Sequence, residues 1–331
     1  MDFGQIIDAA FSAALGPQAI VFALAAIGLN IHFGYTGLLN FGQAGFMAVG
    51  AYGLAVTVVK GDMPFWVGIV VGMIMPLVLA LILGVPTLRL RADYLAIVTI
   101  AAAEVIRLVA GSVEMKSTLG GSNGLTGFST VWNDANPFSS GIDLGFASWS
   151  RNDLWSLTVG WLLVAFFCLV TWLLMRSPWG RVLRSIREDE DAVRSLGKNV
   201  FLYKMQALML GGFIGGVGGI YYALKQGSVV PSDYSTNLTF FAYTALLLGG
   251  AARVLGPVIG SMIFWFLITG LGSFFDQATD GSPPLIPSWI MTDTQASLIR
   301  FIVMGLGLML LMIYRPQGIF GDRREIAIDG R

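Results

Sequence analysis

Nine apolar runs, at about 13–30, 38–59, 65–87, 93–111, 154–175, 203–224, 239–252, 256–272 and 296–314, follow one another through the chain, each bounded by charges or turn residues. Most approach the roughly 20 residues that a helix needs to cross a bilayer core. Hydrocarbon offers no water to backbone N–H and C=O groups, so segments of this length must cross as helices. Charged residues are only 12% of the 331, against about 25% in soluble domains. The expectation is an all-α polytopic membrane protein with eight to ten transmembrane helices. The run 239–252 is short, and Gly249, Gly250, Arg253, Gly256 and Pro257 separate it from the next. The two are read either as separate spans or as one broken or re-entrant helix, which is tolerated where protein or a wet cavity shields its backbone.

Basic and acidic residues balance at 20 each, so no positive field is available to hold nucleic acid. The one cysteine, Cys168, lies inside an apolar run and has no partner in the chain for a disulfide or a metal cluster. The first basic residue is Lys60, so the opening stretch lacks the positive leader of a cleaved signal peptide and is expected to stay as a span. With nine crossings, one side collects Arg89, Arg91, Arg176, Arg181, Arg184, Arg187, Arg194, Lys198, Lys204, Arg253, Arg315, Arg323, Arg324 and Arg331. The other holds Lys60, Lys116, Lys225, Arg151 and Arg300. The positive-inside rule makes the first side, with the C-terminus, cytoplasmic. Residues 1–321 then form one transmembrane domain, with an outer loop at 112–152, a cytoplasmic loop at 176–201 and a short cytoplasmic tail at 322–331. The outer loop either docks a soluble partner or covers the helix ends.

Three polar features stand out in the apolar background. Glu104 and Arg107 are three residues apart on the span 93–111, share a helical face and can pair, which offsets the cost of charge in lipid. The pair is read either as structural or as part of a substrate path. The segment Gly34-Tyr35-Thr36-Gly37-Leu38-Leu39-Asn40-Phe41-Gly42-Gln43 sets Tyr35, Asn40 and Gln43 among glycines at the start of a span. It is read either as a broken helix facing a pore or as a polar helix start packed on a neighbour. His32, the single histidine, is expected at the cytoplasmic interface. Glycines four residues apart, at 211 and 215, 212 and 216, 215 and 219, and 256 and 260, suit close helix packing.

The loop 176–201 carries acids at Glu188, Asp189, Glu190 and Asp191, then Arg194, then Gly197 after Leu196. That is the charge order and stop signal of a short helix, expected over about two and a half turns between Ile186 and Gly197. Ala192, Val193 and Leu196 would form its apolar face. Phosphate-binding and zinc motifs are missing, so neither ATP hydrolysis nor other enzyme activity is expected of this chain.

The run Asp191-Ala192-Val193-Arg194-Ser195-Leu196-Gly197 resembles the Glu-Ala-Ala-x-x-x-Gly loop through which membrane subunits of bacterial ATP-binding-cassette importers dock on their ATPases, with Asp191 for Glu and Val193 for the second Ala. The string from Trp179 to Asn199 is similar to the LivM-type permeases of branched-chain amino acid importers. So are Gly28-Leu29-Asn30 through Gly34-Tyr35-Thr36-Gly37 to Tyr52, Pro86-Thr87-Leu88-Arg89-Leu90-Arg91-Ala92-Asp93-Tyr94-Leu95-Ala96-Ile97, and Tyr314-Arg315-Pro316-Gln317-Gly318. The resemblance implies a bacterial inner-membrane permease working beside a LivH-like sister, two cytoplasmic LivG/LivF-like ATPases that bind the ATP and magnesium, and a periplasmic binding protein. The cargo it implies is leucine, isoleucine or valine, with urea, amides and other amino acids as further cargoes of related permeases. It makes Ala192, Val193, Leu196 and Gly197 the docking surface, with Glu188 and Asp189 in the moving helix and Arg184, Arg187 and Asp191 fixing orientation by charge pairs. The competing reading is an ion-coupled secondary transporter or channel that uses Glu104 and Arg107 and needs no ATPase.

Overall fold

The computed structural model describes residues 2–89, 92–143, 148–280 and 292–321. The expected tail, with Arg323, Arg324 and Arg331, and Arg91 of the Pro86–Ile97 motif lie outside them. The chain order is α1 (Phe3–Leu15), α2 (Pro17–Leu29) running into a π-helix (Asn30–Tyr35), α3 (Gln43–Val59), α4 (Phe65–Thr87) and α5 (Ala92–Gly111). A segment between the long helices follows, with the short helices α6 (Lys116–Leu119) and α7 (Thr130–Asp134). Then come α8 (Arg151–Arg176), α9 (Pro178–Glu188), α10 (Glu190–Ser195), α11 (Val200–Gln226), α12 (Thr236–Gly249), α13 (Gly256–Asp280) and α14 (Asp293–Tyr314). Among the described residues, six helices are long and apolar enough to cross a membrane, and four shorter apolar ones accompany them.

The expected first span at 13–30 divides in two. Asp2 caps α1 through Gly4 N and Gln5 N, Gly16 ends it, and Pro17 opens α2 at a position where its missing N–H costs nothing. α1 turns Ile6, Ala10 and Ala14 inward and packs on α13. The runs 239–252 and 256–272 resolve as two helices packed on each other, α12 and α13, joined by the turn 250–255. Ala252 holds a left-handed φ of 59° in that turn while its N–H is donated to Asn30 Oδ1 at 2.8 Å.

The core centres on α11, which packs on α2, α3 and α4. Its glycines face three directions: a Cβ on Gly211 would lie 2.5 Å from the Gly28 carbonyl oxygen, on Gly216 2.2 Å from Pro76 Cγ, and on Gly219 2.0 Å from the Met47 carbonyl oxygen. Small residues here let backbones meet and bury area without side chains. Two short antiparallel strand pairs involve this segment: β1 (Leu125–Thr126) with β4 (Ser228–Val229), and β2 (Ile142–Asp143) with β3 (Ser148–Trp149). At the other end, residues 315–321 fold back so that Ile319 N and Phe320 N donate to Leu248 O and Gly249 O.

Candidate functional site

The break before α3 is present. From Thr36 to Gly42 the chain leaves the helix, with Gly37 at φ 73°. Its amides are fully buried and point at one another. Asn40 Nδ2 lies 3.0 Å from His32 Nδ1 and 3.1 Å from Gln43 Oε1, while Asn40 Oδ1 accepts from Gly42 N. His32 Nε2 meets Leu208 O at 3.1 Å, so a neutral ring with the proton on Nε2 satisfies both nitrogens. Gln43 Nε2 reaches Ala25 O and Gly211 O, and Tyr243 Oη donates to Asn40 O. His32 is therefore an inner tie between the break and α11 rather than the interfacial residue expected, because burial leaves its nitrogens only Asn40 and a helix carbonyl. Asn30, Thr99, Thr236, Tyr243 and Thr239, whose Oγ1 accepts from Ala44 N at 2.9 Å, were not singled out from sequence; a polar residue within an apolar run was the available signal for Asn30, Thr99 and Thr239.

The loop 176–201 departs from the single helix expected. Asp189 is extended, at φ −153° and ψ 104°, and its side chain accepts from Ala192 N at 2.9 Å. An acid in that conformation ends α9 and caps a new, six-residue α10. The expected apolar face is also divided. Val193 turns inward onto Ile186 and Val200, whereas Ala192 is exposed and Leu196 is 80% exposed. Gly197 follows at φ 76° with open space where a Cβ would stand. Glu190 pairs with Lys204 of α11 and with Arg194, which also holds Asp191. Arg184 and Arg187 reach back to the membrane domain. Arg187 Nη1 donates to Gly34 O at 2.6 Å, and the Arg184 guanidinium lies 5.6 Å from the Tyr35 ring centroid. Glu188 is exposed at the end of α9. A cavity of about 460 Å³ beside this region gathers Tyr35, Arg176, Arg184, Arg253 and Phe320 at one end of the molecule.

The expected Glu104–Arg107 pair forms. Arg107 Nε and Nη2 both donate to the Glu104 carboxylate, at 3.0 and 2.5 Å, and Thr236 Oγ1 approaches Glu104 Oε2 at 3.5 Å. Their side chains are 28% and 39% exposed for Arg107 and Glu104. Tyr35, Asn40 and Gln43 do not join this pair. The element between them is Phe41, whose N–H donates to Thr99 of α5 at 3.1 Å and whose ring packs on Phe240 of α12.

Long apolar helices around a glycine-faced α11, a broken helix start and charges gathered at the ends define a polytopic all-α membrane protein. The chain belongs to the family described as branched-chain amino acid transport system / permease component, whose profile matches residues 14–313. It is 28% identical over 312 residues to the high-affinity branched-chain amino acid transport system permease protein LivM of Escherichia coli (strain K12), covering 91% of this chain and 68% of that protein. It is 25% identical over 339 residues to the probable branched-chain amino acid transport permease protein LivM of Methanocaldococcus jannaschii, covering 92% and 91%. Over 69% of this chain and 71% of the relative it is 26% identical to the nucleoside ABC transporter permease protein NupC of Lactococcus lactis subsp. cremoris. Each of these relatives is named as a transport or transporter permease protein.

Proposed function

We propose that the chain is the translocation subunit of an ATP-driven importer in a bacterial inner membrane, with its C-terminus in the cytoplasm and leucine, isoleucine or valine as cargo. A LivH-like sister permease, two LivG/LivF-like ATPases and a periplasmic binding protein complete the machine, and the ATP and magnesium belong to the ATPases. The observation that carries this reading is the α9–α10 loop. It is anchored from below by Val193, Ile186, Val200 and the Glu190–Lys204 pair, yet it presents Ala192, Leu196 and Gly197 to solvent. A large apolar side chain held out on a tethered helix is what a docking partner covers. Motion of that loop reaches the membrane through Arg187, which grips the π-helix at Gly34, and π-helical turns are frequent at functional sites.

Leu196→Asp tests the docking surface without touching the interior. In cells it should abolish uptake of radiolabelled leucine, and affinity purification should recover the sister permease but not the ATPases. Normal uptake by the variant would end this reading. A wild-type chain that purifies only with itself, and whose uptake survives ATP depletion but not an ionophore, would establish the secondary-transport alternative.

A further inference from the structure

The importer reading leaves open where a free amino acid touches this subunit, and the face shared by α5 and α12 answers with chemistry of its own. Glu104 lies on a helical stripe with Ile97, Ala101 and Leu108, all three of them exposed and Leu108 57% so. Arg107 is one turn from the end of α5 at Gly111, close enough for its long side chain to extend toward the outer polar zone. It turns the other way instead and closes on Glu104 with two hydrogen bonds. The pair therefore stands, part-exposed, in the middle of an otherwise apolar surface within a membrane helix. Lipid tails are a poor neighbour for it, since charge facing hydrocarbon is costly and membrane charges face protein or water.

We propose that Glu104 and Arg107 form the seat for the zwitterionic head group of a free α-amino acid, a reading that rests on the importer function above. The selectivity follows from charge balance. Opening the pair for a simple cation would strand Arg107, and opening it for a simple anion would strand Glu104; an unpaired charge on a membrane helix is costly. A zwitterion replaces both partners at once, its carboxylate taking the planar guanidinium bidentately and its ammonium taking the Glu104 carboxylate. Thr236 stands beside Glu104 Oε2 as a further polar contact. One turn deeper along α12, Phe240 is 46% exposed and packs on Phe41 of the broken segment. The aliphatic side chain of leucine, isoleucine or valine would lie against these rings, so the seat is polar at its outer end and apolar below.

The test uses the assembled complex in proteoliposomes, with leucine as the probe. Cys168, the single cysteine, is buried, so Leu108→Cys introduces one accessible thiol on the stripe. A membrane-impermeant anionic thiol reagent should label it, and labelling should slow fivefold or more while leucine-loaded binding protein and ATP drive turnover. The same measurement in Glu104→Gln/Arg107→Met, which removes both charges and strands neither, should show no protection by leucine, and leucine uptake should fall at least tenfold while the variant still co-purifies with its partner subunits. Absence of labelling in the assembled complex would place the stripe against lipid or the sister subunit and overturn the proposal. So would labelling that leucine does not slow, or wild-type uptake by the neutral double variant. Failure of the importer reading looks different: the unmodified complex would then show no ATP-dependent leucine uptake at all.

Discussion

Two polar clusters sit in an apolar body, and they are built on opposite plans. The inner one joins His32, Asn40 and Gln43 to carbonyls of α2 and α11; it is neutral, fully enclosed and made of fixed donor–acceptor pairs. The outer one is a salt bridge on α5, part-exposed and sharing a single threonine from α12. An enclosed neutral network rigidifies, because every member would be left unsatisfied by movement. An exposed ion pair on an apolar face is free to exchange partners. Polarity inside this membrane domain thus divides into groups that enclosure fixes around the backbone break and a charged pair that the fold leaves part-exposed.

The largest effect should come from breaking the inner cluster. Asn40→Leu orphans His32 Nδ1, Gly42 N and a contact of Gln43, each worth about 1–3 kcal/mol when buried without a partner. Little folded protein should survive detergent extraction, as read by size-exclusion chromatography; a normal yield and melting temperature would show that the network is not what pins the break. The outer pair should behave differently. Glu104→Gln/Arg107→Met should lower thermal stability by no more than about 1 kcal/mol, the range of solvent-screened ion pairs. A loss as large as that of Asn40→Leu would erase the distinction between the clusters.

The smallest effect concerns Asp233, on the outer turn Pro231–Tyr234 between α11 and α12. Burial raises its carboxyl above the usual range. A raised carboxylate disfavours the folded state once pH exceeds the unfolded value, and that penalty disappears as acid protonates the group. Asp233→Asn should therefore raise the melting temperature slightly at neutral pH, and the gain should vanish as pH falls through the carboxylate range. A gain that persists in acid would assign the effect to something other than titration.

Much of this molecule was legible in its sequence, for reasons that differ by region. Long apolar runs specify helices because hydrocarbon leaves backbone groups no other partner, so 65–87 coincides with α4 and 154–175 lies within α8. The Glu104–Arg107 pair was legible because residues three apart on a helix must be neighbours. Local signals misled where several conformations satisfy them equally. The acids at 188–191 fit the first turn of one helix as well as a cap at Asp189 that starts a second, and the run 13–30 concealed the boundary at Gly16 and Pro17.

What the sequence determined by itself was the long apolar helices and the charge order that marks the loop 176–201. Tertiary structure alone decided which polar residues became enclosed and which stayed reachable. His32 lost its expected place at the interface because α11, with glycines at 211 and 215, lets α2 and α3 approach closely enough to seal the break. Leu196 stayed outside because Val193, three residues earlier in α10, took the inward position on Ile186 and Val200. Helix formation answers to neighbours within a few residues, whereas enclosure depends on partners some 170 residues away, and no local pattern encodes them.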